Sequence, residues 1–363
     1  MNVYICSTVR HLLFSLLKAT YEKPTPSHII FFYDYQDIDK NSFDLTALPD
    51  HITVSLLSRK AVGKKLSNSL QGKLFHFLAM RNAYLPNTIK HHFARLLGDL
   101  LPELKTMITS NSIELFVFNE RNKMSRLFRL LVPDYRMIED GMANYTKKSV
   151  SRSKKLIRQL QGKTPSYQLF GESSRCKAIY AVTPDAIPSE IRSKAKQIDF
   201  ITKSENIGYL DQFFGYQPQQ HNDSNAFIIA TQPAFHKEVL EAELQLKIYD
   251  EIISQLNDIG TTIILKTHPS EDPESYRNRF PNIQLAPSKL PLELLLLSYQ
   301  KKVNIISISS SAGLGFEHLC NKIELLDAEQ ISKSKPIMLS WQNNHSELQR
   351  VVRDKIKQSQ ISG

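Results

Sequence analysis

Two adjacent carboxylates, Glu139 and Asp140, stand directly before Gly141 and directly after the apolar run 135–138. Such a run predicts a strand, so the pair should lie where that strand ends. Neighbouring like charges disfavour double ionisation, which raises the proton affinity of one carboxylate, as a general base requires. Gly141 permits a sharp turn and lets a ligand approach the backbone closely. A solvated acidic turn is the alternative interpretation.

His268 and Pro269 follow a second predicted strand, residues 261–266, which ends at Lys266. An imidazole at a strand terminus can protonate, or donate a hydrogen bond to, a leaving phosphate. Pro269 holds the residue before it in an extended conformation, which directs the ring out of the sheet. The alternative is a structural histidine that caps a loop.

Three serines, Ser309, Ser310 and Ser311, lie between the predicted strand 303–308 and a predicted helix, 314–320. Hydroxyls and free amides at the start of a helix form an anion site, for which phosphate is the usual ligand. Ordinary helix capping by serine is the alternative. Glu317, about one turn into that helix, could accept hydrogen bonds from a ribose or could be a surface glutamate.

The elements that position these motifs alternate between short apolar runs and longer stretches with a helical pattern. Nearly continuous apolar runs are typical of parallel strands that helices cover on both faces, so the sequence predicts a doubly wound α/β fold. A polar stretch at 215–225 reads as a linker, after which the alternation starts again. We therefore expect Rossmann-like domains at 1–215 and 216–340, with a ligand cleft at their strand carboxyl ends. The remaining segment, 341–363, should form a helix that packs back on the body, across both domains or on the first.

These motifs, with their order and context, resemble the bacterial sialyltransferases of glycosyltransferase family 52, the lipooligosaccharide group, and the related polysialyltransferases. That family shares an acid–acid–Gly motif, a His-Pro motif and a late Ser-Ser motif. The context of the motifs is also similar, and the similarity extends over nearly the whole chain. It includes the strings Val-Tyr-Ile-Cys-Ser-Thr, Ile-Glu-Asp-Gly-Met-Ala-Asn-Tyr and Phe-Ile-Ile-Ala-Thr-Gln-Pro.

The resemblance implies a GT-B fold, a CMP-activated sugar donor and inversion at the anomeric carbon without a metal or other cofactor. It implies that Glu139 is the base, that Asp140 supports it and that His268 contacts the CMP phosphate, where it can act as the acid. The remaining donor-binding candidates are Gly141, Lys266, Pro269, Ser309, Ser310, Ser311 and Glu317, with Thr231 and Gln232 as weaker ones. Glu139 departs from the aspartate common in the lipooligosaccharide group, although polysialyltransferases tolerate glutamate there.

Alternative functions stay open at this point. A transferase of Kdo or another capsule sugar would keep the fold and change the donor. A basic protein that binds nucleotide sugars or nucleic acid without catalysis would need no carboxylate pair. The acceptor is expected to be a cell-surface glycan or glycolipid such as lipooligosaccharide, O-antigen or capsule.

The composition and charge of the chain restrict its expected cellular location and its expected binding partners. The 363 residues carry a net charge of +10, and the three cysteines are scattered without metal-ligand spacing. No signal-peptide layout or membrane-spanning apolar run occurs, which predicts a cytoplasmic protein. The segment 147–163 holds seven Lys or Arg residues and no acid, so it is either a solvated surface or a contact with anionic inner-membrane lipid or a phosphorylated acceptor. Because that run lacks interleaved aromatic residues, no nucleic-acid partner is expected.

Overall fold

The computed structural model describes the chain in ranges separated by short gaps. These are residues 1–109, 112–151, 155–156, 158–159, 164–217, 226–233, 242–299, 301–310, 312–327, 329–330 and 333–361. The chain divides into two compact units, Met1–Gly215 and Tyr216–Gly363. Most of the predicted linker, residues 218–225, lies outside the described residues.

The N-terminal unit is built on a parallel sheet of seven strands in the order β3-β2-β1-β4-β5-β8-β9. The strands are β1 (Asn2–Cys6), β2 (Ser27–Phe32), β3 (Ile52–Leu57), β4 (Glu114–Val117), β5 (Tyr135–Ile138), β8 (Cys176–Ala181) and β9 (Ala195–Gln197). Strands β6 (Lys148–Ser149) and β7 (Tyr167–Gln168) form a separate antiparallel pair. Every residue of β1 and β2 is buried, as expected for central strands covered on both faces.

Helices cover this sheet and supply most of its core. They are α1 (Val9–Tyr21), α2 (Arg59–Ser67), α3 (Leu70–Met80), α4 (Asn87–Leu97), α5 (Leu104–Thr109), α6 (Lys123–Phe128), α7 (Phe200–Lys203) and α8 (Tyr209–Phe213). Pro86 and Pro102 precede α4 and α5, where a proline cannot continue the preceding helix. The segment 70–109 therefore contains three separate helices.

The C-terminal unit is a parallel sheet of five strands in the order β12-β11-β10-β13-β14. Its strands are β10 (Phe227–Ala230), β11 (Ile263–Lys266), β12 (Gln284–Ala286), β13 (Val303–Ser307) and β14 (Cys320–Glu324), and its helices are α9 (Ala242–Asp258), α10 (Pro273–Arg279), α11 (Leu292–Leu297), α12 (Ser334–Asn343) and α13 (His345–Ile361). In chain order this is the doubly wound arrangement 3-2-1-4-5, so the predicted α/β architecture is confirmed in both units.

The helix predicted at 314–320 is absent, and the segment forms turns before β14 begins at Cys320. Gly313 and Gly315 have φ angles of +74° and +91°, which a right-handed helix excludes. A Cβ at Gly313 would lie 2.7 Å from Cδ1 of Ile305, so only glycine fits there without displacing the core. The turns thus follow from packing that the local apolar pattern does not reveal.

The C-terminal helix belongs to the C-terminal unit. Leu348, Val352 and Ile356 are buried in that unit's core together with Met338 and Trp341. The apolar face of this helix therefore fills the core of its own unit, while the expected packing on the N-terminal domain or across both stays a prediction.

Candidate active site

The carboxyl edge of the N-terminal sheet carries most of the polar groups of interest in that unit. The chain runs outward from β1 through β2 to β3 and then resumes on the other side of β1 with β4, so β1 and β4 flank a topological switch point. Open α/β sheets bind ligands at such points. Ser7 to His11 follow β1, Asn119 follows β4, and Glu139 and Asp140 follow β5.

Glu139 is fully buried, with an exposed fraction of 0%. Its Oε2 accepts a hydrogen bond from the Tyr145 hydroxyl and one of 2.8 Å from the amide of Val182. Its Oε1 lies 3.6 Å from the guanidinium of Arg10. Burial and the adjacent carboxylate raise the pKa of Tyr145, so that hydroxyl remains a donor. Glu139 therefore ties the end of β5 to residues 145 and 182.

Asp140 is the more accessible carboxylate, with 31% of its side chain exposed. It lies 2.9 Å from Nε2 of His11, and it accepts a hydrogen bond of 3.2 Å from the Asn119 amide. Burial alone would raise the pKa of Asp140, but the charge and hydrogen bond of His11, with the Asn119 bond, lower it to about 2. Asp140 is therefore ionised at neutral pH.

The neighbours of Asp140 hold it in place. The Ser7 amide donates a hydrogen bond to Nδ1 of His11 at 3.3 Å. With Nδ1 as the acceptor, the N–H group at Nε2 donates the hydrogen bond to Asp140. The His11 ring stacks on Phe118 with centroids 4.1 Å apart. The predicted sharp turn is present at Gly141, whose φ of +56° favours glycine. The amide of Asp140 donates to Oδ1 of Asn144 at 2.9 Å and closes that turn.

Sequence reasoning did not anticipate Arg10, His11, Asn119 or Tyr145 at this site. A usable signal existed for the first two, because Arg10 and His11 follow the first strand, and the first strand–helix turn of a doubly wound sheet is a usual ligand site. Asn119 and Tyr145 carry no comparable signal in the sequence.

A cavity of about 920 Å³ also lies in this unit, between α2, α3 and α6. Its lining includes four Lys or Arg residues and one histidine: Arg59, Lys60, Lys73, Lys123 and His76. Its apolar wall includes Leu66, Phe77 and Met80, and no acidic residue lines it.

Asn122, in the wall of this cavity, connects it to the carboxylate site. Its amide donates to Oγ of Ser7 at 3.1 Å, and the Ser7 backbone in turn contacts His11. The cavity and Asp140 are thus joined through Asn122, Ser7 and His11.

The carboxyl edge of the C-terminal sheet is organised by a residue that the motifs did not single out, Glu271. This buried carboxylate accepts hydrogen bonds from the Thr231 hydroxyl, from Gln245 at 2.9 Å, from the Tyr276 hydroxyl at 2.7 Å and from the amide of His268 at 3.0 Å. Its position three residues after His268 was the available signal. Glu271 fixes the turn that follows β11.

The His268 side chain is exposed on that turn. The Ser270 amide donates to Nδ1 at 3.2 Å, and the Ser270 hydroxyl lies 2.8 Å from the same nitrogen. The neutral ring therefore carries its proton on Nε2. Pro269 shapes the same turn, where its carbonyl accepts a bond of 2.7 Å from Lys289.

Three of the residues predicted to bind the donor form hydrogen bonds with other groups of the protein. Thr231 is buried, and its hydroxyl donates to Glu271 and accepts from the His268 amide at 3.1 Å. Lys266 is buried and donates to the carbonyls of residues 267 and 288, and burial lowers its pKa to about 8 against the opposing effect of Glu293 and Glu271. Gln232 accepts from the Ser309 amide at 3.1 Å and so bridges the ends of β10 and β13, the switch point of this sheet. The geometry favours a supporting role for Thr231 and Lys266.

The serine motif lies at a turn, so the predicted helix-terminal phosphate site needs correction. Because β13 leads into turns at 312–319, the part of this segment that the structure describes contains no helix N-terminus that could bind an anion. The Ser310 hydroxyl accepts from the amide of Ala312 at 3.1 Å, while Ser311 lies outside the described residues. Glu317 is exposed. Both its carboxylate oxygens accept a hydrogen bond from the Gly315 amide, each at 3.0 Å.

Within the described ranges, no three His, Cys, Asp or Glu side chains cluster as a metal site would require. In the same ranges, no helix has the length and apolar content needed to cross a bilayer.

Comparison with known proteins identifies the family. The model of glycosyltransferase family 52 matches residues 58–328, which include the acid–acid–Gly, His-Pro and serine motifs. The chain belongs to glycosyltransferase family 52. The resemblance predicted from the motifs is therefore confirmed.

Three relatives and structural neighbours of this family 52 protein are distant in sequence. An uncharacterised protein of Haemophilus influenzae is 28% identical over 188 residues, which cover 50% of this chain and 58% of that protein, so the match spans little more than half of the relative. The α/β-galactoside α-2,3-sialyltransferase of Photobacterium phosphoreum aligns with a TM-score of 0.50 and 15% identity over 88% of each chain. The GT-B domain of a Photobacterium damselae sialyltransferase gives a TM-score of 0.47 and 13% identity over 97% of this chain and 96% of that one. The first of these structures shares the fold of this chain, and two doubly wound units are what the predicted GT-B fold requires.

Proposed function

We propose that this family 52 glycosyltransferase transfers sialic acid, or a related acidic sugar, from a CMP-activated donor to a cell-surface glycan. The observation that carries the proposal is the exposed imidazole of His268, which the buried Glu271 network fixes at the carboxyl end of β11. A proton donor held at that place suits a leaving phosphate. Membership of family 52 supports transfer to a sugar hydroxyl.

The proposed reaction is a single displacement. The acceptor oxygen bonds to the anomeric carbon as the bond from that carbon to the CMP phosphate oxygen breaks. The acceptor proton passes to a carboxylate of the N-terminal unit, and Nε2 of His268 donates to the phosphate oxygen that gains charge. Attack opposite the leaving group inverts the anomeric centre. In this scheme hydrogen-bond donors stabilise the leaving phosphate, so no divalent metal is required.

We assign the base to Asp140 and a positioning role to Glu139, which reverses the roles expected from the family resemblance. Asp140 has 31% of its side chain exposed, whereas Glu139 has none. A base must reach the proton that it removes, within about 3 Å of the acceptor hydroxyl. His11 and Asn119 orient the Asp140 carboxylate, and Glu139 holds the backbone beside it.

The cavity beside Asn122 supports an amphiphilic, anionic acceptor. Its five basic or titratable side chains suit phosphate or carboxylate groups, and Leu66, Phe77 and Met80 suit an apolar portion. A phosphorylated glycolipid such as lipooligosaccharide combines both, with O-antigen or capsule glycans as further acceptors of the same reaction. Such synthesis would place the protein in the cytoplasm, at the inner face of the membrane.

The test is a transfer assay with CMP-sialic acid and, separately, CMP-Kdo, each with a lipooligosaccharide acceptor in the presence of EDTA. We expect CMP release and a new glycosidic bond of inverted configuration with CMP-sialic acid, read by mass spectrometry and NMR. Transfer from CMP-Kdo alone would assign the other donor. Activity that EDTA abolishes would contradict the metal-free mechanism, and binding of either donor without turnover would contradict catalysis.

A further inference from the structure

A second, smaller pocket of about 160 Å³ lies in the N-terminal unit, between the end of α3, the segment 120–129 and the turn before β8. It is separate from the larger cavity described above, although Ala79 and Met80 line both. A pocket of this size holds several water molecules and admits a phosphate-sized anion, whereas nucleotide-sized ligands occupy about 300 Å³ or more. We call it the arginine pocket, because its lining includes Arg121, Arg126 and Arg129.

The two acids that line the arginine pocket already have partners. Glu120 is buried, and its carboxylate accepts hydrogen bonds from a backbone amide at 2.9 Å and from the Tyr135 hydroxyl. The Arg129 guanidinium lies 3.9 Å from the same carboxylate. Glu172 binds Arg158 through both oxygens, at 2.6 and 2.8 Å. Each glutamate is therefore matched by one arginine.

Arg121 and Arg126 supply the positive charge that these acids do not balance. In the part of the chain that the structure describes, neither side chain forms an ion pair. Burial lowers the pKa of Arg121, two nearby glutamates raise it, and the positive charge of Arg126 lowers it again. Burial and the charge of Arg129 likewise lower the pKa of Arg126. Like charges that are partly desolvated at one pocket favour the binding of an anion.

Contacts within the protein hold both guanidinium groups in place. The Arg121 guanidinium lies 4.1 Å from the centre of the Phe170 ring, which fixes its plane. Nη1 of Arg126 lies 3.6 Å from Sδ of Met80, a weak acceptor that an anion oxygen can replace. Guanidinium groups bind phosphate or carboxylate oxygens in pairs, and prior fixation of the side chain reduces the entropy lost on binding.

The basic segment 147–163 contributes further charge near this pocket. Lys148 is exposed and lies 5.1 Å from the centre of the Phe170 ring, on which Arg121 also packs. Lys147 pairs with Glu190 at 2.6 Å. Three other cations of the segment lie outside the described residues: Arg152, Lys154 and Lys163. The expected contact of this segment with lipid or acceptor stays a prediction.

The loop after β4 connects the arginine pocket to the proposed base. The Arg121 amide donates to Oδ1 of Asn119 at 3.0 Å, and Nδ2 of that asparagine donates to Asp140 at 3.2 Å. A ligand bound to Arg121 therefore lies two residues from a group that orients Asp140.

We propose that the arginine pocket binds a phosphate group through Arg121 and Arg126. A phosphate monoester carries about −1.5 to −2 charges at pH 7, which matches the two arginines that have no acidic partner among the described residues. Gln168 and Ser173 also line the pocket and offer neutral donors to the remaining phosphate oxygens.

Two sources offer such a group. One is free phosphate, whose binding does not rest on the proposed reaction. The other is a phosphate substituent of a glycan whose remainder lies in the larger cavity, and this source rests on the proposed acceptor.

The experiment is thermal unfolding of the full chain in inorganic phosphate and in sodium chloride of equal ionic strength. Binding to the folded state raises the melting temperature, and we expect about 10 mM phosphate to raise it by roughly 2–4 °C more than chloride does. Arg121→Gln/Arg126→Gln should lose most of this difference. The single variant Arg121→Gln, which keeps the Met80 contact of Arg126, should weaken phosphate binding by about tenfold.

The matched control is Arg350→Gln/Arg353→Gln, which removes the same charge from exposed positions of α13. It should respond to phosphate like the wild type, as should His268→Ala, which separates this pocket from the proposed donor site. General stabilisation by phosphate as an excluded salt is common to all these variants. Cooperative melting in chloride shows that each variant is folded. An equal phosphate response in the wild type and in both Arg121 variants would overturn the proposal, as would a wild-type response no larger than that to chloride.

A second arm of the experiment distinguishes the two sources. A lipid-free, phosphorylated core oligosaccharide and its dephosphorylated form are titrated in the same way. If the glycan is the source, the phosphorylated form should act at a concentration at least roughly tenfold below that of inorganic phosphate, and this advantage should vanish on dephosphorylation and in Arg121→Gln. If free phosphate is the source, inorganic phosphate alone should give the full response.

Discussion

The carboxyl edges of the two sheets share a construction although their chemistry is opposite. In the N-terminal unit the buried Glu139 lies beside the accessible Asp140, and in the C-terminal unit the buried Glu271 lies beneath the exposed His268. Each buried carboxylate accepts from a tyrosine hydroxyl and from a backbone amide.

The difference lies in what surrounds the accessible group. Asp140 is next to His11 and Asn119, which favour its ionised form, so this edge presents a proton acceptor. The ring of His268 accepts from the Ser270 amide through Nδ1, which leaves the proton on Nε2, so this edge presents a donor. The comparison teaches that, in both units, the buried acid holds the turn and leaves its accessible neighbour as the group that the proposed reaction uses.

The largest expected effect comes from replacing each of the two acids of the N-terminal unit, in separate variants, by the corresponding amide. Asp140→Asn removes the proposed base and should lower kcat by about 10³-fold, within the range for general-base loss, with a loss of at most about 2.6 kcal/mol of stability at neutral pH. Glu139→Gln keeps the size of the side chain but removes its charge opposite Arg10, so it should cost about 1–3 kcal/mol of stability and at most about tenfold in kcat. Steady-state kinetics and urea unfolding of both variants check this. The opposite ranking of the two kcat values would return the base to Glu139.

A smaller effect is expected from Glu271→Gln. The glutamine cannot accept all the hydrogen bonds that now converge on the carboxylate, so the turn loosens and kcat/KM should fall about tenfold. Because Glu271 acts through His268, the double variant with His268→Ala should be no slower than His268→Ala alone.

The matched control for this change is Glu274→Gln, an exposed glutamate three residues further along. It should behave as the wild type in the same assay. A double variant markedly slower than His268→Ala would show that Glu271 has a role of its own in the reaction.

The pH dependence of stability tests the environment of Asp140. Its pKa in the folded protein is lowered to about 2, below the usual unfolded value of about 3.9, so ionised Asp140 stabilises the fold above pH 4. That contribution, at most about 2.6 kcal/mol, should fade as the pH falls from 4 towards 2. The difference in unfolding free energy between wild type and Asp140→Asn should therefore shrink over that interval. A constant difference would mean that the His11 contact does not favour the carboxylate.

The smallest effect is expected at Glu317. Its carboxylate already accepts from the Gly315 amide in a turn, so Glu317→Gln should change the donor KM by less than about twofold. A substantially larger rise in KM, measured from initial rates, would restore the predicted contact with the donor ribose.

Much of the fold was predictable because its central strands are continuous apolar runs. Strand β5 occurs at the predicted residues 135–138, and each motif follows a strand as expected. The segment 314–320 was mispredicted because Gly313 and Gly315 have positive φ angles, and the close packing of Gly313 against Ile305 in β13 cannot be inferred from the local apolar pattern.

The site was only partly predictable, since its partners are distant in sequence. His11 and Asp140 are 129 residues apart and meet because the sheet order places β1, β4 and β5 side by side. Adjacent acids in a sequence carry no information about which of the two is buried, so the division between Glu139 and Asp140 required the structure. Glu271 was overlooked because its position three residues after His268, the one available signal, does not show which donors converge on it.

The most direct test of the proposed division of labour measures CMP release and glycan transfer together, from CMP-sialic acid with EDTA. The measurement compares wild type, His268→Ala and Asp140→Asn. We predict that His268→Ala loses both activities by about 10²-fold or more, because the leaving phosphate lacks its donor. Asp140→Asn should lose transfer but retain more of the slow CMP release to water. Unchanged CMP release in His268→Ala would contradict the account.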